Sequence, residues 1–405
     1  MKQRIIIIGG GAAGFFAAIS CAEQNTGVEI IILEKSTKVL QKVKVSGGGR
    51  CNVTHACFDP KELTTFYPRG SKELLGPFHQ FMTGDTMQWF EDRGVPLKIE
   101  ADNRVFPKSN SSQSIIDVLL DATQKNSIEI KLSQRVEDIQ KENAHWKIIT
   151  DKEEFIADKL LIASGSNTKI WDLVSNLGHT IIPPVPSLFT FKINDVLIKE
   201  IPGVSVPNAT IAIAKSSFES SGPLLITHWG ISGPAVLKLS AFGAHFLAEK
   251  NYQYNVHVNW LSKKASTVVH KLKILKKENS KKLIILKSVF KDIPKRLWEN
   301  LVLASKIKQD QRWSDLSNKL LENLADQLTN TMFNANGKTT FKEEFVTAGG
   351  IELKEINFKR FESKIHKNLF FAGEAVNIDA VTGGFNFQNA WTGGFIAGKT
   401  MGENS

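Results

Sequence analysis

Apolar positions open the chain as an unbroken run, Ile5-Ile6-Ile7-Ile8, with Arg4 ahead of it. Consecutive β-branched residues predict a short strand buried on both faces, as in the interior of a parallel sheet. Gly9 to Gly14 follow. Small and apolar residues from Ala12 to about Gln24 predict a helix, and a second apolar run, Val28 to Leu33, predicts a strand that ends at Glu34. Strand, helix and strand in this order form a βαβ unit.

Beyond it the pattern is more mixed. Residues 35–57 contain a glycine triplet and read as loop or helix entry. Helices are expected at 72–93 and 111–126, the latter with N-cap candidates in Ser109 to Ser112. Residues 128–162 alternate and predict two or three strands, the last apolar enough to be central. At Pro183-Pro184-Val185-Pro186 the texture changes, as at a domain boundary. Residues 189–260 are strand-like, with turn signals at Asn194-Asp195, Pro202-Gly203 and Ser221-Gly222-Pro223. Residues 262–330 place Leu and Ile at helical spacing among lysines. A final buried strand is expected at Leu369 to Gly373, then a glycine-rich loop and a helix from about Asn389. The fold class is therefore α/β. Residues 1–190 and 344–405 are expected to form one Rossmann-like domain, interrupted by an insertion at 191–343 that is mainly β over 191–261 and mainly helical over 262–335.

Charge and composition sharpen this only locally. From Ser262 to Lys308 there are fourteen Lys/Arg and three Asp/Glu, enough to account for the whole net charge of +10. The basicity belongs to the insertion. No apolar run approaches the ~20 residues that cross a bilayer, and the first apolar run is too short for a secretory signal. A cytoplasmic protein without membrane association is expected. Cys21, Cys51 and Cys57 form no C-x-x-C pair, so neither a dithiol centre nor a structural zinc site is signalled. No metal site is expected.

Four segments carry candidate chemistry. Gly9-Gly10-Gly11-Ala12-Ala13-Gly14 matches G-x-G-x-x-G between a buried strand and a small-residue helix, with Glu34 twenty residues past Gly14. Gly9 permits a sharp turn, Gly11 lets backbone approach a pyrophosphate, and Gly14 lets helix and strand pack closely. The N–H groups of Ala12 and Ala13 open the helix, where an anion is favoured. Glu34 is suited to ribose hydroxyls and would repel a 2′-phosphate, which favours FAD or NAD over NADP at this position. Ser46-Gly47-Gly48-Gly49-Arg50-Cys51-Asn52 places three costly glycines together, as where backbone lies against something flat or anionic. Arg50 could neutralise a pyrophosphate or sit over a flavin edge. Cys51 reads as a packed thiol before a redox one. Ala163-Ser164-Gly165 ends an apolar strand. Gly373-Glu374, Asp379 and Gly383-Gly384-Phe385-Asn386 end another strand and open the last helix, whose N-terminus is suited to a flavin pyrimidine ring. The acids Glu374 and Asp379 are candidates for ribityl or ribose hydroxyls. FAD, being long, needs contacts from both chain ends, and NAD alone would not require the C-terminal patch.

These residues, with Thr227-His228-Trp229-Gly230-Ile231-Ser232-Gly233-Pro234, Val346 to Gly350 and Phe106-Pro107 with Arg104, together resemble the YhiN/BaiN-like NAD(P)/FAD-dependent oxidoreductase family over nearly the whole chain. The resemblance implies a two-dinucleotide-binding-domain type of flavoprotein, with an FAD domain interrupted by a β-barrel-like part and a helical part. It also implies an activity of the conjugated C=C reductase kind. Lys35 and Val136 are counted with the cofactor contacts. One departure stands out. The family pattern continues past its strand-end A-T-G with a longer glycine-containing stretch, whereas Ala163-Ser164-Gly165 runs directly into Ser166-Asn167-Thr168-Lys169-Ile170-Trp171.

No second G-x-G-x-x-G in strand–helix context appears between residues 190 and 340. NADH or NADPH is accordingly expected as a transient reductant, passing hydride through FAD to a small organic acceptor. His228, in a turn-rich segment and with an ordinary pKa near neutrality, is the candidate general acid; a structural turn histidine is the plainer alternative. A different class of function is a flavoprotein whose basic 262–308 segment docks nucleic acid or an acidic partner, including a flavin-dependent RNA-modifying enzyme. Against it, the lysines also fit the solvated face of amphipathic helices. The sequence sets no oligomeric state.

Overall fold

The computed structural model describes residues 2–339 and 346–403. The chain divides into two compact units, Met1–Val185 with Val346–Ser405, and Pro186–Phe345. The boundary expected at 343–344 lies outside the described residues.

The first unit is built on a seven-stranded sheet. Arg4–Ile8 lies in its interior, paired in parallel with Glu29–Leu33 on one side and with the central strand Lys159–Ile162 on the other. Glu129–Lys131 extends the first side and Leu369–Phe371 the second, both in parallel. The antiparallel strands Glu362–Ser363 and Ile356–Asn357 finish one edge. Ile5, Ile6 and Ile7 are wholly buried, as are Leu160, Leu161 and Ile162, which is why these strands read as unbroken apolar runs.

The first helix, Ala12–Gln24, packs along the last, Phe385–Gly402. Gly394, Gly398 and Gly402 recur at i, i+4 spacing and so share a face. A Cβ on them would stand 2.7, 2.3 and 2.9 Å from the carbonyl oxygens of Ala13, Ala17 and Cys21. Any side chain there would force the helices apart. This contact joins the two ends of the chain.

Several sequence expectations are corrected. The helix expected at 72–93 is two, Ser71–Phe78 and Thr83–Glu91. Pro77 lies in the last turn of the first, where it lacks the N–H for a ladder bond, and the Asp85 carboxylate accepts from the Met82 N–H to start the second. The span 128–162 holds five strands. Its first and last join the main sheet, and Val136–Glu142, His145–Thr150 and Glu154–Ala157 form a separate antiparallel meander. The final helix starts at Phe385 rather than Asn389.

In the second unit, six strands (Thr190–Ile193, Gly230–Ser232, Glu219–Thr227, Ser205–Ile213, Gln253–Asn259 and Thr331–Thr339) close into a barrel. The strand-like reading of 189–260 missed two longer helices, Pro234–Phe242 and Ala244–Glu249, and a one-turn helix, Val196–Lys199. The first opens on Gly233 at φ +94° with Pro234 in its first turn, a start that suits proline because its missing N–H is an orphan there anyway. Helices Ala265–Glu278, Lys295–Ala304 and Asn318–Thr329 pack on the barrel and share one core with it, in which Trp260, Trp298 and Trp313 are buried.

Candidate functional site

Three parallel strands of the first unit end side by side, at Ile8, Ile162 and Phe371, and a glycine follows each within three residues. Gly9 has φ +120°, and a Cβ on it would stand 2.3 Å from the Ala163 carbonyl oxygen. A Cβ on Gly14 would stand 2.0 Å from the Gly9 oxygen. These two glycines are required by the protein's own packing. Gly11 differs: it is the N-cap, in extended backbone, and nothing lies within 4 Å of the place its Cβ would take. The helix behind it has no side-chain cap and no acid in its first turn, so its first N–H groups remain free to meet an anion.

Glu34 is held by main chain. Its Oε2 accepts from the Gly10 N–H at 2.9 Å and its Oε1 from the Ser36 N–H at 2.8 Å. Lys35 beside it is exposed. Val136 is buried at the start of the meander, and two residues before it the Gln134 N–H donates to the Glu34 carbonyl at 2.9 Å.

The second glycine segment follows a helical turn from Gln41. Ser46 is extended, and Gly47, Gly48 and Gly49 then take φ +56°, +68° and +83°. Three successive left-handed residues explain the triplet, since a side chain is strained at each. Gly48 and Gly49 also have open space where a Cβ would be. The Gly49 carbonyl accepts from the Ser112 N–H at 2.8 Å, anchoring the loop to the start of helix Gln113–Lys125. Arg50 ion-pairs with Glu100 at 2.7 Å and lies 3.9 Å over the Phe106 ring. Cys51 is wholly buried, and burial pushes its thiol up to about 12. It is inert at neutral pH, because the thiolate is the reactive form. Native protein should therefore leave Cys51 unalkylated by iodoacetamide at pH 8, as peptide mapping will show. Rapid labelling would revive the redox reading.

The C-terminal segment meets both of the others. A Cβ on Gly373, at φ +69°, would stand 2.9 Å from the Ala13 Cβ, and one on Gly384, at φ +95°, would stand 2.7 Å from the Thr54 carbonyl and 2.9 Å from Asn52 Oδ1. The last helix, like the first, has no side-chain cap and no acid in its first turn. Glu374 pairs with Lys42 and accepts from the Thr347 N–H. Gly165, at φ +61°, has the Glu374 carboxylate and the Lys42 ammonium as its neighbours, and its carbonyl accepts from the Trp171 indole at 3.1 Å. The departure noted after Gly165 thus becomes the helix Thr168–Asn176, tied back by Trp171. Buried Ser164 Oγ and Asn52 Oδ1 have no protein partner among the described residues.

Besides Arg50 and Glu374, two further expected ligand contacts are engaged within the protein. Asp379 is wholly buried and pairs through both oxygens with Arg69, a structural engagement beside the hydroxyl-binding role read for it. Asn386 closes its own loop, accepting from the Ala380 N–H at 3.0 Å and donating to the Ala380 carbonyl at 3.2 Å. Phe385 is buried and stacks on Phe66 at 4.2 Å. His228 is exposed at the hairpin turn between Glu219–Thr227 and Gly230–Ser232, in the barrel unit.

Sequence reasoning missed Lys42, Arg69, Thr54 and Gln388. The last two are buried, and the Thr54 hydroxyl donates to Gln388 Oε1 at 2.6 Å, tying the second glycine segment to the last helix. No local motif marks them, because each partner is some 300 residues away in sequence. Among the described residues no cluster of His, Cys, Asp and Glu is arranged to hold a metal ion, and no helix is long and apolar enough to cross a membrane.

A sequence profile described as "HI0933-like protein Rossmann domain" matches residues 3–400. A 3-dehydro-bile acid delta(4,6)-reductase of Clostridium scindens is 27% identical over 99% of both chains. A ribosomal RNA dihydrouridine synthase of Haemophilus influenzae is 27% identical over 98% of both. Among solved structures, a 3-ketosteroid-delta4-(5alpha)-dehydrogenase of Rhodococcus jostii RHA1 aligns with TM-score 0.54 at 13% identity, covering 99% of this chain and 97% of that one. At that identity the likeness is one of fold.

Proposed function

The chain belongs to the HI0933-like Rossmann-domain family, with a Rossmann-type FAD-binding fold, and from that premise we propose that this FAD-dependent oxidoreductase saturates a C=C bond conjugated with a carbonyl. The observation that carries the reading is the meeting of the glycine segments around one set of strand ends, with two uncapped helix N-termini and open space at Gly11, Gly48 and Gly49. Carboxyl ends of parallel strands are where open α/β sheets bind their ligands. Orphaned Ser164 Oγ and Asn52 Oδ1 await polar partners at the same place, since buried polar groups are rarely left unbonded.

The residues then divide the work. The first turn of helix Ala12–Gln24 holds the pyrophosphate. Glu34, oriented by the Gly10 and Ser36 amides, accepts from the adenosine ribose. The left-handed Gly47–Gly49 backbone lies against the cofactor, and the first turn of the last helix faces the ring edge that gains negative charge. When bound, FAD supplies a two-electron carrier that delivers hydride to the β carbon of an α,β-unsaturated carbonyl. Overall, NAD(P)H and a proton are consumed, and the saturated carbonyl and NAD(P)+ are released. The names of both relatives denote saturation of a C=C bond in conjugation with a carbonyl, in a steroid ring and in uracil, which supports this substrate class.

Anaerobic addition of NADH or NADPH to purified protein should bleach the flavin, and a conjugated enone should restore its colour with one equivalent of saturated product. A flavin that either nucleotide reduces but no enone reoxidises would overturn the substrate class.

A specific observation supports a second reading, in which the conjugated bond is carried by RNA. Of the Lys/Arg between 262 and 308, all but the half-buried Lys276 are exposed, and only Lys295 has an acidic partner among the described residues. Replacing the exposed Lys277, Lys281, Lys282 and Lys287 by Glu should leave flavin reduction unchanged. If RNA is the substrate, it should also lower the salt slope of RNA binding by about 3. Lys276 is kept, since its ammonium holds the Leu316 carbonyl at 2.6 Å. Absence of wild-type RNA binding near physiological salt would dispose of this reading.

A further inference from the structure

His55 is a titratable side chain beside the loop that opens the last helix, and none of the roles above uses it. It ends the short strand Thr54–His55, directly opposite Arg104. Its Nδ1 lies 3.2 Å from the Gly383 carbonyl, so the tautomer protonated at Nδ1 donates there. Its ring packs on Phe385 with centroids 4.5 Å apart, and Phe385 in turn stacks on Phe66. Gly383 is held at φ +132° with His55 Nδ1 3.3 Å from the place of its missing Cβ, and Gly384 is pressed against the Thr54 carbonyl. From the other side the Tyr67 hydroxyl donates to the Phe385 carbonyl at 2.6 Å. The turn is therefore clamped, and His55 is the titratable member of the clamp. Among the described residues its Nε2 makes no hydrogen bond, and the ring is half-buried, so Nε2 can exchange a proton with solvent. Asn52 Oδ1, buried without a partner, lies at the same turn and points to a ligand there.

We propose that His55 is a positioning residue of the redox site: its Nδ1–H fixes the Gly383 carbonyl, and a second proton at Nε2 adds positive charge at the N-terminus of helix Phe385–Gly402, where it favours the reduced, more negative cofactor. This rests on the FAD reading above. Burial holds His55 below the ordinary histidine value; the Gly383 carbonyl, Asp102 and Glu62 act the other way, and Arg104 on the paired strand acts with burial. Phe66 and Phe385 bring no charge, and burial keeps the Cys57 and Tyr67 protons in place. The sign follows. The added charge is present at low pH and is lost as pH rises through the His55 pKa, which lies on the acid side of the ordinary value, so the preference for reduced flavin is strongest in acid.

The test is reductive titration of the purified holoprotein against a reference dye between pH 5 and pH 8, in wild type, His55→Asn and His55→Phe. Asparagine keeps a donor for the Gly383 carbonyl and cannot titrate. Relative to H55N, the wild-type preference for reduced over oxidised FAD should be about tenfold greater at pH 5 than at pH 8, the scale of a charge at a partly buried helix end. H55N should bind oxidised FAD within about threefold of wild type, and H55F, which loses the donor, about tenfold more weakly, the scale of one hydrogen bond. An H55N profile parallel to wild type at every pH would overturn the proposal, as would full FAD affinity in H55F. Wild-type protein that takes up no flavin would sink the FAD reading itself, whereas bound flavin with parallel profiles sinks only the role of His55.

Discussion

Gly11→Val will weaken FAD binding by at least about 100-fold and leave the apoprotein folded. Gly11 has φ −96° and ψ −172°, extended backbone that valine adopts without strain. Nothing of the protein lies within 4 Å of the new Cβ. The fold loses at most about 1 kcal/mol, from valine being a poorer N-cap than glycine. The branched side chain does, however, enter the space in front of the first helix, where the pyrophosphate must meet free N–H groups. Losing two charge-assisted hydrogen bonds at about 1.5 kcal/mol each or more weakens FAD by at least about 100-fold. Isothermal titration of apoprotein with FAD, beside a denaturation curve, separates the two effects. Wild-type FAD affinity in Gly11→Val would defeat the pyrophosphate assignment. Gly14→Val is the contrasting control: its Cβ would stand 2.0 Å from the Gly9 oxygen, so that variant should fail to fold.

The second large effect concerns Asp379. Its carboxylate is wholly buried and pairs with Arg69, whose side chain is 13% exposed. Asp379→Asn keeps the volume and leaves the guanidinium buried without its counter-ion. Removing one partner of such a pair typically costs about 3–5 kcal/mol, because the desolvation of the remaining charge is no longer offset. The urea midpoint should fall accordingly. Combining Asp379→Leu with Arg69→Met should cost less than the sum of the two single changes, since no lone charge then remains. Additive losses would show that the two residues act independently. The variant also addresses function. If Asp379 held cofactor hydroxyls directly, the double variant would regain stability without regaining FAD. In the structural role assigned here, FAD binding returns with stability.

Gly11→Val and Gly14→Val differ in outcome because glycines act differently within one motif. Gly9, Gly11 and Gly14 look alike in sequence. Gly9 and Gly14 answer to the protein's own backbone, and only Gly11 faces open space. Roles for all three could be read from the motif, but not which of them would tolerate a side chain in the absence of ligand.

Short-range physics made much of the molecule legible from sequence. The run Ile5–Ile8 could only be a strand buried on both faces, and the glycine pattern with an acid at Glu34 required a strand–turn–helix start. The triplet Gly47–Gly49 announced backbone that side chains cannot follow. The basic character of 262–308 was plain from counting. These are properties of neighbouring residues, where period, φ preference and charge act over a few positions. Tertiary structure alone decided the pairings across the chain: Arg69 with Asp379, Lys42 with Glu374, Thr54 with Gln388, and His55 with Gly383. It also decided that Gly394, Gly398 and Gly402 serve helix contact rather than a ligand. The reason is physical. A carboxylate or amide carries the same bonding capacity wherever it stands, and only folding determines whether water, a ligand or another side chain reaches it first.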